Sequence, residues 1–208
     1  MTVATAPVAI HRPLPPEEAA RGDFYALLAR LLQSGADATL LAALANAAPI
    51  PADGDPDLAR AWDELSRASS VMDADASGEE YDSLFAGVGK APVSIYAGFY
   101  TGAMAIDHPR VRLQADFAAL GLERRASTEP EDHFAILFDV MRVLVVGGAG
   151  RTPAPLDEQK RFFSAYLETG APKFFNAVIA CGRANYYRKV AAVGLAFVAI
   201  EVESFELE

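Results

Sequence analysis

The sequence predicts an all-α fold on three observations. Apolar residues recur at helical spacing through most of the chain. Proline, glycine and cap residues punctuate them at intervals. No run of alternating residues has a visible partner strand. The pattern corresponds to about nine or ten helices. They form a single compact multi-helix domain over residues 17–208, behind a flexible N-terminal segment, 1–16.

The first helix is predicted over 17–33, where Phe24, Leu27, Leu28, Leu31 and Leu32 keep helical spacing and Gly35 acts as a stop. A second covers 37–47 and ends before Pro49. Asp55 is placed to cap a third, which Pro56 opens and which carries Leu58, Trp62 and Leu65. Ser77 and Glu80 have the spacing of a capping box, so a short helix is expected to start there and run through Phe85 to a break at Gly87 and Gly89. The stretch "PVSIYAGFYTGAMAI" has the aromatic and β-branched residues of a strand, but with no partner strand it is read as helix. Pro109 opens a helix that Gly121 ends. The polar connection 122–129 is the expected hinge between two lobes. Helices over 156–169 and 172–181 precede a long final one, whose run "VAAVGLAFVAI" reads as buried.

Composition narrows the function. At 52% hydrophobic and 22% charged, the chain has the make-up of a folded globular protein. A net charge of −10 argues against a nucleic-acid partner, which requires clustered Lys and Arg, and suits a basic partner or no charged one. Cys181 is the single cysteine, so no intramolecular disulfide can form and a Cys-based zinc site lacks ligands. The N-terminus has no early basic region, and Pro7 and Pro13 break its apolar stretch, unlike a secretory signal. The longest apolar run is about half of the ~20 residues a bilayer requires. The reading is a soluble cytoplasmic protein with no membrane insertion.

The segment "EPEDHFAILFDVMRVLV" poses the sharpest question. Thr128 and Glu131 match a capping box and Pro130 suits a first helical position, so the acids are expected to start a helix. On that helix, Glu131, Asp132, Ala135, Asp139 and Arg142 share one side, and His133 falls opposite, among Ile136, Leu137, Val140 and Leu144. A histidine there is a hydrogen-bonded core residue or the polar floor of an apolar groove. Spacing leaves both open.

Other chemistries find little support. "LFAGVGKAP" lacks the first glycine of a P-loop and has Ala91 where Ser or Thr is required. Asp107, His108, Asp132 and His133 could meet around a metal as a small hydrolase site, although adjacent residues on a helix diverge by 100°. Cys181 lies in the apolar run "FFNAVIAC", where a buried inert thiol is expected. Arg124 and Arg125 are mid-chain loop charges. No catalytic set emerges.

Two motifs together carry a resemblance. "YDSLF" at 81–85 precedes a Gly/Pro-rich turn and an aromatic stretch; "GL" at 121–122 and "EPEDH" at 129–133 follow. In this order and spacing the sequence resembles the TorD/DmsD-type maturation chaperones of molybdenum enzymes, from about Asp23 to the final helix. The resemblance implies an all-helical cytoplasmic chaperone with no cofactor of its own, a monomer or a homodimer that allows domain swapping. It would bind a molybdopterin apoenzyme, often at a twin-arginine leader, and hold it for cofactor insertion before export. It also implies a leader-binding surface at Tyr81, Leu84, Phe85, Asp132 and His133, with Pro92 and Tyr96 from the intervening turn. That placement moves His133 to a groove floor. Val93 and Asp107 depart from the family pattern, which has an aromatic and a glycine there. "GVGK" and the aromatic stretch look like the branch found with formate dehydrogenases. Besides the metal hydrolase, the remaining alternative is a non-catalytic assembly subunit that stays with its enzyme.

Overall fold

The computed structural model describes residues 14–51, 54–86, 91–101, 109–122, 129–148 and 150–207, which hold ten α-helices and one π-helical turn. Helix α1 (Pro16–Gln33) opens on proline with Glu17 and Glu18 in its first turn, as its dipole favours. Asp37 caps α2 (Ala38–Ala45), and Asp55 caps α3 (Pro56–Ser69) by accepting from the Leu58 amide at 2.7 Å. Helix α4 (Ala74–Tyr81) runs directly into a π-helical turn at Asp82–Ala86. Four elements follow: α5 (Gly98–Thr101), α6 (Pro109–Ala119), α7 (Phe134–Val146) and α8 (Leu156–Tyr166). The chain closes with α9 (Gly170–Ala180) and α10 (Tyr186–Leu207).

The core is built on two packings. Helix α1 lies along α7, where Gly22 meets Val146 and Tyr25 meets Phe138. Helix α10 packs between α3 and α9 and buries Val190, Ala191, Val193, Phe197 and Val198, as the apolar run predicts. A charged cluster stitches the two together. Glu201 of α10, 1% exposed, takes Arg21 of α1 in a two-point pair at 2.8 Å and the Tyr25 hydroxyl at 2.6 Å. Burial pushes the Tyr25 hydroxyl well up, and the Glu201 charge adds to it. No helix among the described residues is long and apolar enough to cross a membrane.

Several local expectations require correction. Ser77 and Glu80 do not form a capping box: Asp73 caps α4 by accepting from Asp75 and Ala76, so both residues lie inside the helix. Ser77 is wholly buried and accepts from the Ala36 amide at 2.9 Å. Helix α1 ends at Gln33, as expected; a Cβ at Gly35 would stand 2.6 Å from the Gly78 backbone, so the smallness of Gly35 also serves helix contact. "PVSIYAG" is not helical. Residues 91–97 run to α5 without helix, with Val93, Ile95 and Ala97 buried in alternation. Cys181 is half-buried at the end of α9 rather than sealed in the core. The N-terminal segment to residue 13, the glycine break and Lys90, Asp107, His108, Arg124, Arg125, Thr128 and the body of the hinge at 122–129 fall outside the described residues.

Candidate functional site

The helix predicted to begin in "EPEDH" begins later. Pro130 and Glu131 precede α7, and His133 is its N-cap: the imidazole Nδ1 accepts from the Ala135 amide at 3.2 Å. The helical wheel therefore does not apply to residues 131–133, and Asp132 and His133 do not diverge as helix neighbours would. Both are buried, at 1% and 2% exposed.

The reason is the extended stretch before α5. Its partner is the head of α7 itself: Ala97 donates to the Asp132 carbonyl at 2.8 Å, Phe134 donates to the Ile95 carbonyl at 3.1 Å, and Tyr96 stands opposite His133 in an antiparallel bridge. The Tyr96 and His133 rings meet edge-on at 5.5 Å. Val93 donates to the Leu84 carbonyl at 3.3 Å, which joins this stretch to the π-helical turn. "YDSLF" and "EPEDH", 43 residues apart from Phe85 to Glu129 if the intervening residues 86–128 are counted, thus belong to one continuous structure.

Within it, the predicted residues divide. Leu84 and Phe85 point inward, at 0% and 8% exposed; Phe85 packs against Tyr81, Phe174 and Tyr187 with ring centroids 5.2–6.0 Å apart. Pro92 is exposed, and Tyr81 and Tyr96 are half-buried. Tyr81 donates to the Leu32 carbonyl, and Tyr96 to Glu129 at 3.0 Å. Burial raises the Tyr81 hydroxyl to about 12, with Glu129, Tyr96 and Asp82 adding to the effect. Tyr96 is raised by burial and then by its bond to Glu129. Glu129 thus acts on both phenols. Burial also holds the His133 imidazole below its ordinary value, against the pull of Glu129 and Asp132. A neutral ring is the form its capping bond requires.

Asp132 accepts on both carboxylate oxygens. Arg110 Nε donates to Oδ1 at 2.8 Å, and the Gly98 amide to Oδ2 at 3.3 Å. One turn along α6 from Arg110, Gln114 donates to Glu131 at 3.2 Å. Beside this corner, α1, α6 and α7 enclose a groove of about 680 Å³, floored by Ala26, Ala29, Ala135 and Val140 and reached by Phe117 and Glu131.

Residues 52–176, which include both motifs, match the family model described as nitrate reductase delta subunit. The chain belongs to this family. Its members are maturation chaperones of molybdoenzymes and are not catalytic, so the hydrolase reading of Asp132 and His133 is set aside. Among the described residues no cluster of His, Cys, Asp or Glu could hold a metal. No curated protein matches the chain.

Two contributors to the site escaped the sequence reading. Glu80 caps α10 from another helix, its carboxylate accepting from the amides of Asn185, Tyr186 and Tyr187 at 2.8–3.0 Å, which locks "YDSLF" onto the core. Nothing local signals a bond across more than 100 residues. Arg110 did leave a signal: it shares a helical stripe with Leu113 and Phe117, an unusual place for an unpaired charge.

Proposed function

We propose that this chain binds the apo form of a molybdoenzyme catalytic subunit at a basic segment followed by an apolar one, an N-terminal twin-arginine leader, and holds it in the cytoplasm for cofactor insertion before export. The observation that carries the reading is the surface at Tyr81 and Tyr96. Two half-buried aromatic rings both lie in the field of Glu129, to which Tyr96 donates, and Pro92 of the same stretch as Tyr96 is exposed. Aromatic faces with neighbouring carboxylates suit a guanidinium, and the rings continue into contact with an apolar residue. Leu84, Phe85, Asp132 and His133 back this surface from within. The chain's net charge of −10 favours encounter with a basic segment.

A formate dehydrogenase is the proposed client, from the resemblance carried by "GVGK" and its aromatic stretch. Capture of the tagged chain from its native host, with identification of bound proteins, tests this. The expected partner is a catalytic subunit without its cofactor. Recovery of the mature, cofactor-loaded enzyme would favour the subunit that stays with its partner. Affinity for the captured client should fall modestly between low and high salt, because exposed pairs are screened over ~8–10 Å. Salt-independent binding would remove the electrostatic part of the reading.

A further inference from the structure

Asp132 is 1% exposed on its side chain, whereas its ion-pair partner Arg110 is 45% exposed. The guanidinium therefore stands between a buried carboxylate and water. A cation arriving by that path meets Arg110 first. Exchange there has a small barrier in free energy, because one guanidinium replaces another on the same oxygen and Asp132 is never left buried and unpaired. Arg110 is already half in water, so its charge is not buried by leaving Asp132.

We infer that Arg110 is a built-in competitor: in the free protein it occupies the place on Asp132 that an arginine of the client's basic segment takes in the complex. This rests on the function proposed above and adds to it an autoinhibitory contact. The attachment of α6 makes the exchange consequential. Among the described residues of that helix Leu113 is wholly buried and Phe117 stacks on Phe162, and polar hooks add to these contacts. Arg110 and Gln114 fasten its first half to the head of α7. Asp116, bonded by Tyr166 at 2.5 Å, and the carbonyls of Leu120 and Gly121, bonded by Arg151, fasten its second half. Loss of the bond to Asp132 removes one tie of the first half and leaves the Gln114–Glu131 bond and the second half in place.

The test uses a synthetic peptide with two adjacent arginines followed by an apolar stretch, and a copy with both arginines replaced by glutamine. Arg110→Gln should bind the arginine peptide about 5–10-fold more tightly than the wild type, the gain from removing a competitor that occupies most of the free population. Arg110→Lys, which keeps the charge but loses the guanidinium, should fall between. Asp132→Asn should weaken the arginine peptide, and the double variant should match Asp132→Asn. Because Arg110→Gln also removes an anchor of α6, amide exchange on the wild type gives an independent measure: the amides of Leu113 and Gln114 should exchange faster with the arginine peptide bound. Weaker binding by Asp132→Asn, combined with unchanged or weaker binding by Arg110→Gln and unchanged or slower exchange in α6, would overturn the competitor while leaving the client reading intact. Equal binding of both peptides, or no binding of the arginine peptide to any form, would overturn the client reading and the competitor with it.

Discussion

Phe85 and Asp132 are both motif residues and both buried, but they are buried in different company. Around Phe85 the neighbours are rings from α4, α9 and α10, in contact on several sides. Around Asp132 they are donors: an amide from α5 and a guanidinium from α6 that reaches out to water. Ring packing depends on shape and tolerates no substitute that leaves a void. A charged contact depends on the identity of the donor, and another donor of the same kind can take its place. The first motif is thus the fixed side of the structure and the second the exchangeable side. A client that uses both meets a rigid aromatic face next to a replaceable ion pair.

The strongest way to break this contrast is at Phe85. Phe85→Ala should cost about 3–5 kcal/mol, the range for a buried ring that leaves a cavity. Thermal unfolding measures it, and client maturation should fall in step with stability. A variant that unfolds like the wild type but fails to mature its client would show that Phe85 is a contact residue and that the aromatic side is also exchangeable. Glu80→Ala probes the same side from its cap. The amides of Asn185 and of the first two residues of α10 lose their acceptor, and a loss of about 2 kcal/mol is expected. Amide exchange at Asn185–Tyr187 should rise with it; unchanged protection there would mean that ring packing alone holds "YDSLF" to α10.

At Asp132 the expected effects separate. Asp132→Asn keeps an acceptor for Gly98 and loses the ion pair, but Arg110 is half-exposed, so its charge is not left buried. The cost should therefore be about 1–2 kcal/mol, below that of Phe85→Ala, while client maturation in cells lacking the wild-type chaperone should fall sharply. Equal losses of stability and maturation would make Asp132 a structural residue like Phe85, and the contrast would collapse.

The two sides also differ in how far the sequence discloses them. Asp55, Pro56 and the apolar stripe of α10 act through neighbours within one or two turns, so spacing alone reads them correctly. Glu201 lies on that stripe and could have been suspected as a paired charge, but its partner Arg21 is 180 residues away. The site fails local reading for a definite reason. "PVSIYAG" pairs with a segment only three residues long, 132–134, which has no strand pattern of its own. That pairing in turn keeps residues 131–133 out of the helix, so the capping-box reading of "EPEDH" and the phase assigned to His133 fail together. The site residues were gathered by resemblance. What spacing could not supply was the bond from Val93 to Leu84 that joins the two motifs, or the inward turn of Leu84 and Phe85.

The smallest expected effect concerns His133 and pH. Its Nδ1 accepts the Ala135 amide, which is possible only while that nitrogen is unprotonated. Burial lowers its folded-state value below the ordinary 6.5, and the neighbouring charges of Glu129 and Asp132 oppose this without reversing it. Below 6.5 the unfolded chain therefore binds a proton more readily than the folded one. The stability contributed by the neutral ring is fully present above 6.5 and is lost as pH falls through the lower folded-state value. His133→Gln removes both the cap and the titration. At neutral pH the variant should be less stable by about 1 kcal/mol, the usual worth of an N-cap. As pH falls below 6.5 the two stability curves should converge, because the wild type loses what the variant already lacks. Denaturant unfolding at a series of pH values would show it. Parallel curves would mean that the imidazole does not titrate with unfolding and that its capping bond is not what holds the head of α7.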